Sequence, residues 1–159
     1  MAEVERALRR LSRAPEGVLR RGLSRIGLVA QREAKAYAPR SPTMKQISAT
    51  LKRKRRTAQR AYPGNLEKSV EFEVGAAAGG GLVCSVFVAA NGLSRSPSGY
   101  NYAPRIHDER YKSWRNLGPG SIAKNASGKV GEKFIERAIA DNAPKFLRII
   151  EDEARKIGE

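Results

Sequence analysis

Apolar residues recur three or four positions apart from Gly17 to about Tyr37, and this spacing predicts an amphipathic helix. The apolar positions form one stripe, which comprises Leu19, Leu23, Ile26, Ala30, Ala34 and Tyr37. The other faces of this helix are rich in arginine and lysine. Ala38-Pro39 should end the helix, because the residue that precedes a proline is disfavoured in the α region.

Three later segments show the patterns of β-strands. Residues 69–74 alternate apolar and polar side chains, which is typical of a half-buried strand. Leu82–Ala90 is a more continuous apolar run, and it predicts a buried strand that pairs back through the small-residue turn Ala76–Gly81. Tyr100–His107 predicts a third strand, which Pro104 places at an edge of the sheet because proline cannot donate to the ladder.

The last third of the chain is predicted to be helical. Glu132–Ala140 carries its apolar residues on one side, and residues 116–128 before it are expected to be a Gly/Ser-rich loop. Asn142 can cap a separate final helix, whose first turn accommodates Pro144. We expect one α+β domain over residues 1–159. A small antiparallel sheet of about three to four strands should pack there against the long N-terminal helix and the C-terminal helices.

The chain has an unusually high positive net charge. The 159 residues contain 31 Lys+Arg and 16 Asp+Glu, a formal charge of +15. Residues 1–62 carry +13 of this charge, whereas residues 63–159 carry +2. The N-terminal share begins with residues 1–14, which are expected to form a basic helix or arm. Such asymmetry indicates that one part of the chain faces a polyanion.

A basic segment without acidic residues, residues 40–63, holds the largest share of that charge. It is predicted to be an inserted loop, and long irregular segments are usually functional or mobile. Its consecutive cations suit a phosphate-lined partner, and a solvated basic face without a partner is the alternative. The residues expected to contact DNA or an acidic partner are Lys45, Lys52, Arg53, Lys54, Arg55, Arg56 and Arg60. The sequence contains no DNA-reading motif, so contact at the level of the phosphate backbone is expected.

Cysteine and histidine are too scarce for two common kinds of site. Cys84 is the only cysteine, which excludes an internal disulfide, and His107 is the only histidine, which leaves a Cys/His zinc site without enough ligands. The N-terminus has no apolar signal region, and no stretch approaches the roughly 20 apolar residues of a membrane span. We therefore expect a soluble protein assembled in the cytosol, with no cofactor, metal or membrane partner.

Four further features allow a catalytic or ligand-binding interpretation, but for most of them a structural role is the simpler explanation. His107-Asp108 could perform acid–base chemistry, but a lone histidine beside acids is more often structural. Cys84, in an apolar strand, should behave as a small buried hydrophobe. Gly79–Gly81 lacks the rest of a phosphate-binding loop and is expected to be a hairpin turn. Trp114 could stack on a base or anchor a loop. No catalytic constellation emerges, and an enzyme is not expected.

Four short motifs follow one another along the chain. The first is a helix end, Ala34–Pro39, whose last two residues are Ala38-Pro39, and the second is a Gly-x-Leu-x-x-Ser strand start with Gly64, Leu66 and Ser69. The third is the pair Tyr102-Ala103, and the fourth is a Gly-x-x-Phe helix start with Gly131 and Phe134. In order and spacing they resemble the tail-completion proteins of long-tailed bacteriophages, also called head–tail joining or neck proteins. The resemblance spans residues 17–157, nearly the whole chain.

The chain departs from this family pattern in two places. The Ala-Pro and Gly-x-Leu elements sit close together in the family, whereas here 24 residues separate Pro39 from Gly64. Those residues include the whole basic run and look like an insertion. The acidic residue and Gly-Thr that usually follow the Tyr-Ala strand are replaced by His107-Asp108-Glu109.

The resemblance implies a non-enzymatic structural protein of the virion, located at the head–tail interface. Family members are thought to form a ring, commonly a hexamer, between the head-completion (adaptor) proteins and the tail tube, with genomic DNA in the lumen. The same partners are expected here, with the basic segment facing the lumen or an adjoining ring. Charge alone supports an alternative, a free-standing nucleic-acid-binding protein without sequence preference. An enzyme built on His107 and Asp108 ranks last.

Overall fold

A computed structural model describes residues 16–40, 65–89, 119–125 and 128–156. In chain order its elements are α1 (Glu16–Tyr37), α2 (Asn65–Lys68), β1 (Val70–Ala76), β2 (Leu82–Val88), α3 (Pro119–Lys124) and α4 (Phe134–Arg155). The predicted arm 1–14 and the predicted strand Tyr100–His107 lie outside the described residues, as does all of the basic segment except Arg40.

Helix α1 is the central element, and the predicted helix from Gly17 to Tyr37 is confirmed. It packs against both strands and also against α4. Its most buried positions are small residues, since Gly22, Gly27, Ala30 and Ala34 are buried with Tyr37, whereas the larger apolar residues of its first half are only partly buried. Small side chains let the backbone of α1 approach its neighbours closely on different sides.

Strands β1 and β2 form the predicted hairpin, with Val70 opposite Val88 and Ala76 opposite Leu82. The turn between them is closed by a hydrogen bond from the Ala77 amide to the Gly81 carbonyl, 3.1 Å long. Gly80 and Gly81 have φ values of 87° and 84°, a backbone region that glycine adopts without strain. The interpretation of the glycine run as a hairpin turn is therefore confirmed.

Strand β2 corrects the prediction of a buried strand. Its positions alternate between partly buried and exposed, and Val83 and Phe87 are 43% and 37% exposed. The apolar run could not reveal this, because a strand with apolar residues on both faces has the same composition whether one face or two are covered. Cys84 is accordingly half-buried and not fully buried.

The described part of the sheet has two strands where three to four were expected. Side chains of α1 cover the outer edge of β1, where Gln31 donates to the Val70 carbonyl at 2.9 Å and Arg20 donates to the Val74 carbonyl at 3.3 Å. The hydrogen bond from the Ala89 amide to the Ser69 carbonyl shows that the odd-numbered residues of β1 form the hydrogen bonds to β2. The carbonyls of the even-numbered residues Val70 and Val74 therefore point away from β2. A further strand would therefore add to β2.

The C-terminal region is one helix where two were predicted. Helix α4 runs through Pro144 without interruption, and Asn142 is buried within it and does not cap a second helix. The Asn142 side chain donates to the Ala138 carbonyl at 2.8 Å and accepts from Lys145 at 2.8 Å. Burial of the apolar face of α4 against α1 outweighs the backbone hydrogen bond that Pro144 cannot make.

Two short helices were not predicted. Helix α3 lies within the expected loop 116–128, and α2 forms the beginning of the Gly-x-Leu-x-x-Ser stretch just before β1. Both are too short for a periodic apolar pattern to be visible in the sequence. The coarse α+β architecture, with an N-terminal helix, a small antiparallel sheet and a C-terminal helix, agrees with the prediction.

The approach of α1 to the sheet at Gly27 generates a stability prediction. A Cβ atom at Gly27 would lie 2.2 Å from Cδ2 of Phe72, so Gly27→Ala should destabilise the fold by about 1–3 kcal/mol despite the better helix propensity of alanine. Gly17→Ala is the matched control, because nothing lies within 4 Å of its added methyl group.

Urea unfolding followed by circular dichroism measures both variants. A Gly27→Ala protein as stable as wild type would contradict the close contact, and Phe72→Leu in the Gly27→Ala background should recover part of the stability.

Candidate functional surfaces

The predicted DNA-contact residues lie outside the described part of the chain, whereas six of the motif residues lie within it. Lys45, Lys52, Arg53, Lys54, Arg55, Arg56 and Arg60 lie outside the described residues, as do Gly64, Tyr102, Ala103, His107 and Trp114. The six described motif residues are Ala38, Pro39, Leu66, Ser69, Gly131 and Phe134. Their positions show what the motifs do in this fold.

The described motif residues converge at the C-terminal end of α1. Ala38, Leu66 and Phe134 belong to one buried cluster, which also contains Tyr37 and Val70. These residues come from the end of α1, from α2, from the start of β1 and from the start of α4. Stretches that are far apart in the sequence therefore build a single core, and their side chains act in packing.

The other three motif residues support the same junction. Ser69 is buried, its amide donates to the Leu66 carbonyl at 3.2 Å, and its carbonyl accepts from Ala89 at 2.7 Å, which begins the sheet. The Gly131 amide donates to the Tyr37 carbonyl at 3.2 Å, and this bond ties the start of α4 to the end of α1. Pro39 is half-buried and follows the last helical hydrogen bond of α1, from the Ala38 amide to the Ala34 carbonyl.

Lys124 of α3 caps the C-terminus of α1. Its ammonium group donates to the carbonyls of Lys35 and Ala38, and it also bonds the Glu67 carboxylate at 3.3 Å. A positive charge at this helix end also complements the helix dipole. Burial lowers the pKa of Lys124, and the Glu67 carboxylate acts in the opposite direction.

Ser121 holds the chain that leaves α1. Its hydroxyl accepts from the Arg40 amide at 3.0 Å and donates to the Arg40 carbonyl at 3.1 Å. Ser121 is 4% exposed, so this reciprocal pair is well protected from water. Helix α3 thus fixes the position from which residues 41–64, with their basic run, depart.

A polar network surrounds Tyr37 at the same end of α1. The Tyr37 hydroxyl donates to Asp141 at 2.9 Å and accepts from Lys129 at 2.8 Å, and the Lys129 ammonium lies 5.1 Å from the centre of the tyrosine ring. The hydrogen bond to Tyr37 raises the pKa of Lys129. The network provides hydrogen-bond partners for the Tyr37 hydroxyl, while the rest of the tyrosine ring is packed in the core. Its role is therefore structural.

A basic groove lies at the other end of the helix pair. We define it by Arg20, Arg21, Arg25 and Lys156, and its volume is about 600 Å³. Glu153, which is 2% exposed, lies in its wall and pairs with Arg25 and with Lys156, the latter at 2.8 Å. The hydrogen bonds from Lys156 and Arg25 lower the pKa of Glu153 against the opposing effect of its burial.

The outer face of the hairpin has the opposite charge. Because side chains alternate along a strand, Glu71 and Glu73 point away from α1, opposite Phe87 and Ser85 of β2. Val83 and Phe87 add exposed apolar surface to this face. Neither glutamate forms an ion pair with a described residue. We call this surface, Glu71, Glu73, Val83 and Phe87, the acidic β-face.

Among the described residues, no group of acidic, histidine or cysteine side chains could hold a metal ion. Burial raises the pKa of the Cys84 thiol, which disfavours the reactive thiolate. In the part of the chain that the structure describes, no helix is both long and apolar enough to cross a bilayer. The pair His107-Asp108 lies outside that part.

Sequence reasoning missed Lys124 and Glu153. The partners of Lys124 are distant in sequence, and so is Arg25, one of the two partners of Glu153. The other partner, Lys156, lies only three residues after Glu153. Gly22 and Gly27 did carry a signal, since glycine inside a long helix is costly unless another element approaches there. Gly22 is the point on α1 against which Glu153 packs, and a Cβ atom at Gly22 would lie 3.3 Å from the Glu153 Cγ.

Comparison of the chain with protein-family models, with curated proteins and with solved structures gives no match.

The lysine cap generates a second stability prediction. Lys124→Met keeps the length of the side chain but leaves the Lys35 and Ala38 carbonyls without this donor, and it should destabilise the fold by about 1–3 kcal/mol. Lys68→Met is the control, because Lys68 is exposed and should change stability little. Urea unfolding at pH 7 measures both. Equal effects of the two substitutions would show that the cap contributes nothing.

Glu153 predicts an acid-dependent decrease in stability. Its folded pKa is lowered from the ordinary value of 4.5, so its stabilising effect is complete above that pH and disappears as the pH falls through the lowered pKa. Glu153→Gln should destabilise the fold by about 1–3 kcal/mol at neutral pH and should flatten this part of the stability profile.

Asp152→Asn is the matched control for that experiment, because Asp152 is the exposed neighbour of Glu153. Thermal unfolding between pH 3 and pH 7 gives the profiles of all three proteins. An unchanged slope in Glu153→Gln would contradict the assignment to Glu153.

Proposed function

We propose that the protein is a non-enzymatic structural component of a long-tailed phage virion. It forms a ring in the neck of the particle, joins the head-completion proteins to the tail tube, and surrounds the genomic DNA. The tail-completion family, whose motifs the sequence resembles, supplies this proposal. Residues of segment 45–60 contact DNA phosphates or acidic partner surfaces in this arrangement.

The order and spacing of the four motifs along the chain support the proposal most strongly. Ala38, Leu66 and Phe134 stand in separate motifs, yet they share one buried cluster at the end of α1. A single domain usually has one contiguous core, so their meeting shows a packing role for these residues. Their packing role also suits a family defined by its fold and its assembly, in contrast to one defined by catalytic side chains.

The distribution of charge supports the polyanion part of the proposal. The described residues contain 15 Lys/Arg and 11 Asp/Glu, which leaves +11 of the total +15 in the rest of the chain. A nearly balanced fold that carries strongly basic segments suits a protein that surrounds DNA without reading its sequence. Such contacts are made with phosphates and weaken as salt rises.

Deletion of the gene from the phage, followed by add-back of the purified protein, tests the proposal. Without the protein, DNA-filled heads and free tails should accumulate unjoined, and addition of the full chain should restore infectious particles. Cys84→Ser is a suitable control for the add-back, since the proposal assigns the thiol no role. Particles that join and infect normally without the protein would contradict the proposal.

The alternative, a free-standing nucleic-acid-binding protein, is favoured by the charge alone. A variant with Lys52, Arg53, Lys54, Arg55 and Arg56 replaced by glutamine separates the two. If duplex DNA binding is the whole function, affinity should fall strongly and the salt slope should decrease by about 0.9 for each phosphate that the variant no longer neutralises. The neck proposal instead expects the wild-type chain to be recovered in particles and the variant to fail at the joining step.

A further inference from the structure

Two surfaces of the chain, the acidic β-face and the basic groove, are complementary to each other in charge, and Arg20 of the groove reaches the outer edge of β1 at the Val74 carbonyl. The acidic β-face points away from α1, whereas the basic groove lies where the N-terminal half of α1 meets the end of α4. Each surface also exposes large apolar side chains, with Leu28 at the groove 56% exposed and Phe87 on the β-face 37% exposed.

Several charged side chains on the two surfaces have no ion-pair partner among the described residues of one subunit, and others remain half-exposed. Glu71 and Glu73 are exposed and form no ion pair with the residues that the structure describes, and the same holds for Arg21 in the groove. Arg20 bonds Glu16 and the Val74 carbonyl, and Arg25 pairs with Glu153, but the two arginine side chains remain 51% and 47% exposed. The guanidinium groups can therefore bind a second carboxylate from outside.

We propose that the acidic β-face of one copy of this chain docks into the basic groove of the next copy. This inference deepens the proposed function and rests on it, because it names the subunit contact of the ring. The contact is heterologous, since two different surfaces meet, and a closed ring is one of the assemblies that such contacts build. Glu71 and Glu73 face Arg20 and Arg21 of the neighbour, while Phe87 and Leu28 bury apolar area beside them.

A second copy is the occupant that the charges favour. The β-face bears net negative charge in a chain of +15, so it would repel DNA and attract a basic protein surface. The basic groove of the same chain provides that surface together with an exposed leucine. Opposed potentials of this kind fix the register of an interface and exclude like-charged partners.

Charge reversal with mixing tests the contact. In the variant Glu71→Lys/Glu73→Lys both surfaces are basic, and in the variant Arg20→Glu/Arg21→Glu both are acidic or neutral. Each variant alone should therefore associate with itself at least about tenfold more weakly than the wild-type chain does. An equimolar mixture restores complementarity between unlike variants, and its association should return to within about threefold of wild type. Sedimentation velocity over a concentration series measures all three.

Lys68→Glu/Arg148→Glu is the matched control, since it reverses two exposed charges outside both surfaces and should leave association unchanged. Thermal unfolding of each variant confirms that it is folded, and recovery on mixing is itself possible only for folded subunits. Wild-type association should also weaken with salt, because exposed charges are screened over about 8 Å at physiological ionic strength.

The inference is overturned if the reversals leave association unchanged, if mixing does not restore it, or if the wild-type chain remains monomeric at every concentration. These outcomes are distinguishable from failure of the neck proposal, which the add-back assay judges separately. A chain that restores particle joining but ignores the charge reversals would keep its neck function and use a different subunit contact.

Discussion

The close approach of α1 to its neighbours on two sides is the constraint on which the rest of the fold depends. At Gly27 the backbone of α1 meets the ring of Phe72 in β1, and at Gly22 it meets the side chain of Glu153 in α4. A Cβ atom at Gly27 would collide with the Phe72 ring at 2.2 Å, and one at Gly22 would lie 3.3 Å from the Glu153 Cγ, a tighter contact than usual. Because α1 is held between the hairpin and α4, its C-terminal end becomes the place where the core cluster, the α3 cap and the start of α4 all meet.

This arrangement separates the packed part of the molecule from most of its charge. The described elements are close to neutral, while the arginine and lysine excess lies mainly in the rest of the chain. Lys124 and Ser121 fix the chain at the point where the 24 residues between Pro39 and Gly64 depart. A rigid base for a basic segment suits a protein that holds DNA by its phosphates and holds its neighbours by folded surfaces.

Much of this fold could be predicted from the sequence, and the failures have physical causes. The 3.6-residue period of α1 and the alternation of β1 are local signals, so helix and hairpin were found. Pro144 predicts a helix start because proline favours the first turn of a helix, but tertiary burial of α4 overrides this local preference. Contacts such as Lys124 with Lys35 join residues far apart in sequence, and no local pattern encodes them. The motif residues Leu66 and Phe134 could be predicted, although the core that they share could not.

An electron cryo-microscopy map of the neck of the intact particle tests the proposed neck ring most directly. We expect a closed ring of this chain between the head-completion proteins and the tail tube, with segment 45–60 facing the lumen or an adjoining ring. A neck without this protein, or a ring that places segment 45–60 on the outer wall away from DNA and from neighbouring subunits, would contradict it.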